Sequence, residues 1–291
     1  MKFETSGDTY LRVVGGTMDG SAVFSAKPLV FAASDEAYFR KHAVGFAKSS
    51  LRAGHSVHLT VTPSPGAQAA SRAQKLQRKL LPFFWRQFSD EERARITVEI
   101  WSDPRIEREM GELETVIFYQ SVRFFRLPAL LRSYNRPVAV LDIDSLVIQP
   151  IPARPGNDVG LFLRLNEEKG RNEYERLGMK VLGAMIYAAP SGVEFFEDVS
   201  RYIDNHEPFY FLDQRALYET YLSRRNVRVF DIAETGWLDW TFKPGAVVWT
   251  AKGKRKRRNL KYVRERLKFE GRSPIASTLI IAGYRLGLLR T

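Results

Sequence analysis

Residues 138–148 read VAVLDIDSLVI, an apolar run broken by two acids one residue apart, Asp142 and Asp144. Its first four residues, Val138 to Leu141, are what a strand buried on both faces of a parallel sheet requires. Side chains alternate along a strand, so Asp142 and Asp144 are expected to leave it on one side. Two carboxylates emerging together at the end of a buried strand repel unless a cation lies between them. Oxygen donors of this kind suit Mg²⁺ or Mn²⁺, with substrate phosphates completing the shell. The same triplet also occurs in turns and at helix starts, where the acids accept backbone N–H bonds. The apolar flanks favour the metal-and-phosphate reading, because unpaired charge at a buried strand end is costly.

Outward from this run, 29–34 (LVFAAS) reads as a second buried strand, with Ser34 capping a helix and Asp35 and Glu36 in its first turn. Phe39, Ala43, Phe46, Ala47 and Leu51 keep helical spacing, and Gly54 ends that helix. Val57, Leu59 and Val61 then alternate as a strand. This is a βαβ-like opening, with its loop at the carboxyl end of the first strand. The pattern continues with a turn at 63–66, a helix at 67–81 and a strand at 96–101. The segment 112–134 has the length of a long helix that Pro128 should kink or split. Arg123 and Arg126 lie on it, and either is suited to grip a phosphate bidentately. Further strands are expected at 159–163, 182–188, 227–230 and 246–250, with helices at 193–203 and 212–222. Residues 1–28 show several glycines and no clear period.

A chain of 291 residues can bury one large α/β core or two small ones. There is no cysteine, which excludes disulfides, thiolate metal sites and a cysteine nucleophile. The opening MKFETSGDTY lacks the apolar core of a signal peptide, and no apolar run is long enough to span a bilayer. A cytoplasmic location is expected. The net charge of +12 is local: 252–272 holds eleven Lys or Arg against two Glu, while the rest holds 34 basic and 31 acidic residues. A domain over 1–251 with a basic, amphipathic extension over 252–291 follows. The extension reads as a solvated tail, a nucleic-acid contact or an anchor to an anionic membrane surface. Sparse stacking aromatics disfavour nucleic acid. The apolar stretch IASTLIIAGYRLGLL, with Arg285 inside it, favours peripheral attachment at the inner face of a membrane.

The order of strand, helix, strand and long helix feeding an apolar strand that ends in Asp-x-Asp resembles the GT-A glycosyltransferases. More narrowly, it resembles the galactosyltransferase and glycogenin-like branch of nucleotide-diphospho-sugar transferases. Three stretches carry the likeness: LPALLRSYNRPVAVLDIDSLV at 127–147, VLGAMIYAAPSG with VEFFEDVSRYI at 181–203, and FLDQRALYETY at 211–221. The resemblance implies a single-domain, Rossmann-like α/β fold with a mixed, mainly parallel sheet flanked by helices. It implies a glycosyltransferase of the hexosyltransferase class that carries a sugar from a nucleotide-sugar, UDP-linked by preference, to a glycan, lipid-linked or protein acceptor. Asp142 and Asp144 would hold Mn²⁺ or Mg²⁺ against the diphosphate. Ala32, Ala33 and Ser34 would line the nucleotide pocket. Asp213 would hydrogen-bond sugar hydroxyls, Gln214 would lie near the reacting carbon, and Lys256 would approach the departing phosphates.

The sequence departs from that pattern at two places. Thr250 stands three residues before Gly253, where the branch often carries a metal-binding histidine, and Asp239 or water is the alternative ligand. Val181 and Leu182 stand where an asparagine is usual. Trp237 and Trp240, flanking Asp239, fit either a core or a sugar-stacking role. Two other functions compete. One is a haloacid-dehalogenase-like phosphatase, which also opens on apolar residues running into Asp-x-Asp but places them near the start of its fold. The other is a protein that binds nucleotide-sugar without turnover.

Overall fold

The computed structural model describes residues 10–14, 27–251 and 259–285. In chain order the strands are β1 (Tyr10–Val14), β2 (Leu29–Asp35), β3 (Val57–Thr62), β4 (Ile96–Trp101), β5 (Val138–Leu141), β6 (Leu146–Val147), β7 (Val159–Leu163), β8 (Val181–Ala188), β9 (Val229–Asp231), β10 (Leu238–Asp239) and β11 (Val248–Trp249). The helices are α1 (Glu36–Arg52), α2 (Ala69–Lys75), α3 (Leu81–Trp85), α4 (Asp90–Arg93), α5 (Glu112–Tyr134), α6 (Glu173–Gly178), α7 (Val193–Asp204), α8 (Leu212–Ser223), α9 (Ile232–Thr235), α10 (Leu260–Phe269) and α11 (Pro274–Arg285).

Alternation along the central strands builds two layers from one apolar run. Val30 and Ala32 of β2, with Ala139 and Leu141 of β5, pack against Phe39, Ala43 and Phe46 of α1. Leu29, Phe31, Val138 and Val140 face the other way, onto Phe124, Leu127 and Leu130 of α5. Both faces are covered, which is why these strands read as unbroken apolar stretches. Among the described residues the sheet has eight strands in the order β1-β4-β3-β2-β5-β8-β7-β9. It is mixed and mainly parallel: β2–β3, β3–β4, β2–β5 and β7–β9 pair parallel, while β1–β4, β5–β8 and β7–β8 pair antiparallel.

The strand order reverses between β2 and β5. From β2 the chain crosses through α1 to β3 on one side, and from β4 it returns through α5 to β5 on the other. In open α/β sheets such a reversal leaves a crevice at the carboxyl ends of the two strands. The loops after β2 and β5 therefore have to part there. The α/β architecture expected from the sequence is the one observed.

Local differences have physical causes. The N-cap of α1 is Asp35 rather than Ser34: β2 runs one residue further, and Asp35 Oδ1 accepts the Tyr38 N–H at 2.8 Å. Pro128 does not split the long helix, which runs unbroken from Glu112 to Tyr134. A proline removes the bond to the carbonyl four residues back, and here the Ser200 hydroxyl of α7 donates to that Phe124 carbonyl at 2.8 Å. The helix expected at 67–81 runs without a break from Ala69 to Trp85, α2 passing through a wide π-turn at Leu76–Leu80 into α3. An edge strand, β1, lies in the stretch that shows no period.

The charge boundary at 251/252 is not a packing boundary. Tyr262, Val263 and Leu267 of α10 are buried in a cluster with Leu146, Phe242 and Trp249. Leu146 and Trp249 belong to a second sheet, β10-β11-β6, which carries the chain directly after the acidic pair.

Candidate functional site

The crevice between β2 and β5 is a cleft of about 340 Å³ lined by Ala33, Ser34, Asp35, Tyr38, Val116, Tyr119, Gln120, Arg123, Asp142, Ile143 and Asp144. Three elements build it. The end of β2 and first turn of α1 give one wall. Val116, Tyr119, Gln120 and Arg123 recur at helical spacing along one face of α5 and give the second. The turn after β5 gives the floor.

That turn corrects the expected geometry of the acidic pair. The strand stops at Leu141, and Ser145 N–H donates to the Asp142 carbonyl at 2.9 Å, closing a β-turn over 142–145. Asp142 and Asp144 thus face one cleft because a turn brings them there, not because a strand alternates. Asp142 still follows the parity of Val138 and Val140, toward α5. Its side chain is 41% exposed, whereas Asp144 is 3% exposed. The turn is pinned from behind: the buried Tyr262 hydroxyl donates to the Asp144 carbonyl. Burial and then the nearby Asp144 charge push the Tyr262 phenol well above its ordinary pKa, so it remains a donor. Beyond the turn, Val147 N–H donates to Ser49 Oγ at 3.1 Å and Ile151 N–H to His55 Nε2 at 2.9 Å.

Arg123 links the acidic turn to α8. One terminal nitrogen donates to Asp142 Oδ1 at 2.6 Å and the other to Asp213 Oδ2 at 2.9 Å. Burial alone would lower the Arg123 pKa, but Asp142 and Asp213 together hold it above its ordinary value. Burial pushes the Asp213 carboxyl up against the pull of Arg123. Asp213 itself is 3% exposed and sits behind Arg123, outside the cleft wall. It is aimed by the start of α8, where Phe211 takes a left-handed φ of 68°. Gly178 makes room for that turn, since a Cβ there would lie 2.6 Å from Phe211 Cβ. Gln214 Oε1 accepts the Gly183 N–H at 3.4 Å. A Cβ on Gly183 would stand 3.1 Å from Arg123 Nη2 and 3.4 Å from both Asp213 Oδ2 and Gln214 Cγ.

The structure therefore brings together Ala33, Ser34, Arg123, Asp142 and Asp144 at the cleft, with Asp213 and Gln214 joined through Arg123 and Gly183. Ser34 Oγ is buried with no hydrogen-bond partner among the described residues. Ala32 is fully buried in the α1-side core and does not line the cleft. Arg126 is not at the cleft either, because its guanidinium is engaged by buried Glu99 at 3.0 and 2.5 Å. Burial would raise Glu99, but His58 and then Arg126 outweigh it and hold the carboxyl at about 2. Lys256 lies outside the described residues. Trp237 is buried against Tyr187 and Phe230, and Trp240 packs on Phe162.

Sequence reading missed Asp35, Tyr38, Val116, Tyr119, Gln120, Gly183 and Tyr262. The α5 members carried a signal, since they share a helical face with Arg123. Gly183 and Tyr262 carried none that local pattern could expose.

Asp142 and Asp144 give a divalent ion hard oxygen donors in one cleft, and such ions commonly take their remaining ligands from phosphate and water. The residues fit Mg²⁺ or Mn²⁺ in that sense. Among the described residues no group of three or more His, Asp or Glu is arranged to hold a metal ion. Asp239 is engaged elsewhere, accepting from Thr241 N at 3.0 Å, Thr241 Oγ1 at 2.8 Å and Lys243 N at 2.8 Å. Thr250 is buried.

No family model matches the sequence, and no curated protein matches it. Among solved structures, the chain is similar to the apo form of the bifunctional glycosyltransferase WbbM, with 12% identity and a TM-score of 0.52 over 89% of this chain. It spans 52% of that protein's length. It is also similar to the galactosyltransferase LgtC in complex with donor and acceptor sugar analogues, with 14% identity and a TM-score of 0.50. That match covers 84% of this chain and 95% of the other. The fold is GT-A-like, that of these glycosyltransferases.

Proposed function

We propose that this chain transfers a sugar from a nucleotide-sugar, UDP-linked by preference, to a glycan, lipid-linked or protein acceptor. The observation that supports this most is the meeting of Asp142, Asp144 and Arg123 at the cleft where the strand order reverses. A bound Mg²⁺ or Mn²⁺, held by Asp142 and Asp144, would offset the negative charge that builds on the leaving diphosphate. The chain's own residues do the rest. Ala33 and Ser34 line the nucleotide's side, and the buried Ser34 hydroxyl has a hydrogen bond to give. Arg123, held between Asp142 and Asp213, offsets part of their negative charge and fixes the Asp142 carboxylate in place for a cation. Asp213 acts through Arg123 by fixing the guanidinium's plane. Gln214 accepts from Gly183 N–H behind Arg123, and the role proposed for Lys256, that of a further cation toward the phosphates, rests on the sequence alone.

The phosphatase reading requires the acidic motif near the start of its fold, whereas here it follows β5. Thermal shifts with UDP, GDP, CMP and ADP, each with and without Mn²⁺, test the proposal. Stabilisation by one nucleotide only with Mn²⁺ supports it and names the donor class. No shift with any nucleotide, beside a shift with Mg²⁺ and a phosphate mimic, would replace it with the phosphatase. Binding without sugar release or transfer would leave the non-catalytic binder.

A further inference from the structure

Ile275 and Leu279 are the two most exposed large apolar side chains among the described residues, at 76% and 67%, ahead of Tyr210 at 58%. They lie one turn apart on α11 and so share a face. Thr278 shares it, and no charged residue lies between Arg272 and Arg285. The opposite side of α11 is spoken for: Ile280, Ile281 and Tyr284 pack on the cluster of Tyr262, Val263 and Leu267. The helix is thus seated on the protein by one face and bare and apolar on the other.

The exposed charge of α10 and α11 is one-sided. Lys261, Arg264 and Lys268 are exposed on α10 at helical spacing, and Arg272 is exposed between the helices. Glu265 pairs with Lys268 at 3.3 Å and Glu270 with buried Arg266 at 3.2 Å, so those charges cancel and Lys261, Arg264 and Arg272 remain as the excess. The stretch 252–258 adds six further cations and no acid to this end of the chain. No described helix is long and apolar enough to cross a membrane.

We propose that the outer surface of α10 and α11 docks on an anionic lipid bilayer, with Ile275 and Leu279 inserted at the headgroup boundary and the cations against the lipid phosphates. An apolar face alone would fit a second copy or a protein groove equally well. The surrounding positive charge selects anionic lipid, since apolar burial and attraction to anionic headgroups add in interfacial helices. This surface is independent of the transfer chemistry, and its test needs no nucleotide.

Flotation of the full chain with phosphatidylcholine vesicles, alone or with roughly one-third phosphatidylglycerol, tests it. The chain should float with the anionic vesicles only, and less in high salt. The double substitution Ile275→Ser with Leu279→Ser should cut the bound fraction by about fivefold or more while leaving the melting temperature unchanged. Arg264→Ser with Lys268→Ser should also lower it. Equal flotation with both vesicles, no flotation, or indifference to the serines would overturn the proposal. So would a dimer in light scattering that the Ile275 and Leu279 serines dissolve, which would give the face to a second copy. Retention on an RNA or DNA oligonucleotide without flotation would give the cations to nucleic acid.

Discussion

Arg123 and Asp213 form a buried ion pair at 2.9 Å, and the same guanidinium holds Asp142 at 2.6 Å. One side chain of α5 thereby sets the spacing between the turn after β5 and the start of α8. Breaking a buried pair by removing one partner leaves an uncompensated charge and costs about 3–5 kcal/mol. Asp213→Ala should destabilise the chain in this range by urea unfolding, and nucleotide affinity should fall with it. Arg123→Lys cannot serve both acids in one plane, so it should lose affinity even where stability is kept.

Gly183→Ala tests the crowding at the meeting point of the three residues. The new Cβ would press on Arg123 Nη2 at 3.1 Å, and the guanidinium has little room to yield between two carboxylates. Overpacking of this kind costs about 1–3 kcal/mol. Nucleotide affinity should drop about tenfold, on the order of 1.4 kcal/mol. Wild-type affinity for Gly183→Ala would show that Arg123 need not hold its place.

His55 makes stability depend on pH. Burial lowers its pKa from 6.5 to about 4, against the raising effect of its bond to the Pro28 carbonyl. In the fold it stays neutral, with Nδ1 at 2.8 Å from Pro28 O and Nε2 accepting from Ile151 N–H. The unfolded chain therefore takes up a proton first as pH falls below 6.5, and the folded state loses ground until about pH 4. The His55 share of that loss is at most about 3 kcal/mol. Urea unfolding from pH 7 to pH 4.5 should show this slope, and His55→Gln should flatten it. An unchanged slope in His55→Gln would assign the acid sensitivity elsewhere.

The Ser200 hydroxyl should matter only because Pro128 does. Ser200→Ala leaves the Phe124 carbonyl without its donor, at a cost of about 1–2 kcal/mol. In a Pro128→Ala background the restored N–H can take that carbonyl, so the cost of Ser200→Ala should shrink to a few tenths of a kcal/mol. Additive losses in the double mutant would show the two residues to be uncoupled.

The sheet was legible because its strands are buried on both faces, and α5 because its apolar spacing holds from Glu112 to Tyr134. The acidic pair was legible as a pair, yet its turn was not: Asp-x-Asp reads alike at a strand end and in a turn. That the helix continues through Pro128 was not legible, because its compensation comes from α7, far along the chain. Arg126 and Arg123 look equivalent in sequence, and only β4 distinguishes them by placing Glu99 under one. Tyr262 was hidden inside a run of cations whose apolar positions dock it under Asp144. Asp213 reads as a site candidate in the sequence, but its burial behind Arg123 required the fold.

The most direct measurement is calorimetric titration of UDP into wild type and Asp144→Asn, each in Mn²⁺ and in chelator. Wild type should bind only with Mn²⁺, and Asp144→Asn should not bind in either buffer while melting as a folded protein. Asp144→Asn binding UDP as wild type does in Mn²⁺, or wild type binding equally in chelator, would contradict a metal-and-phosphate site at the turn after β5.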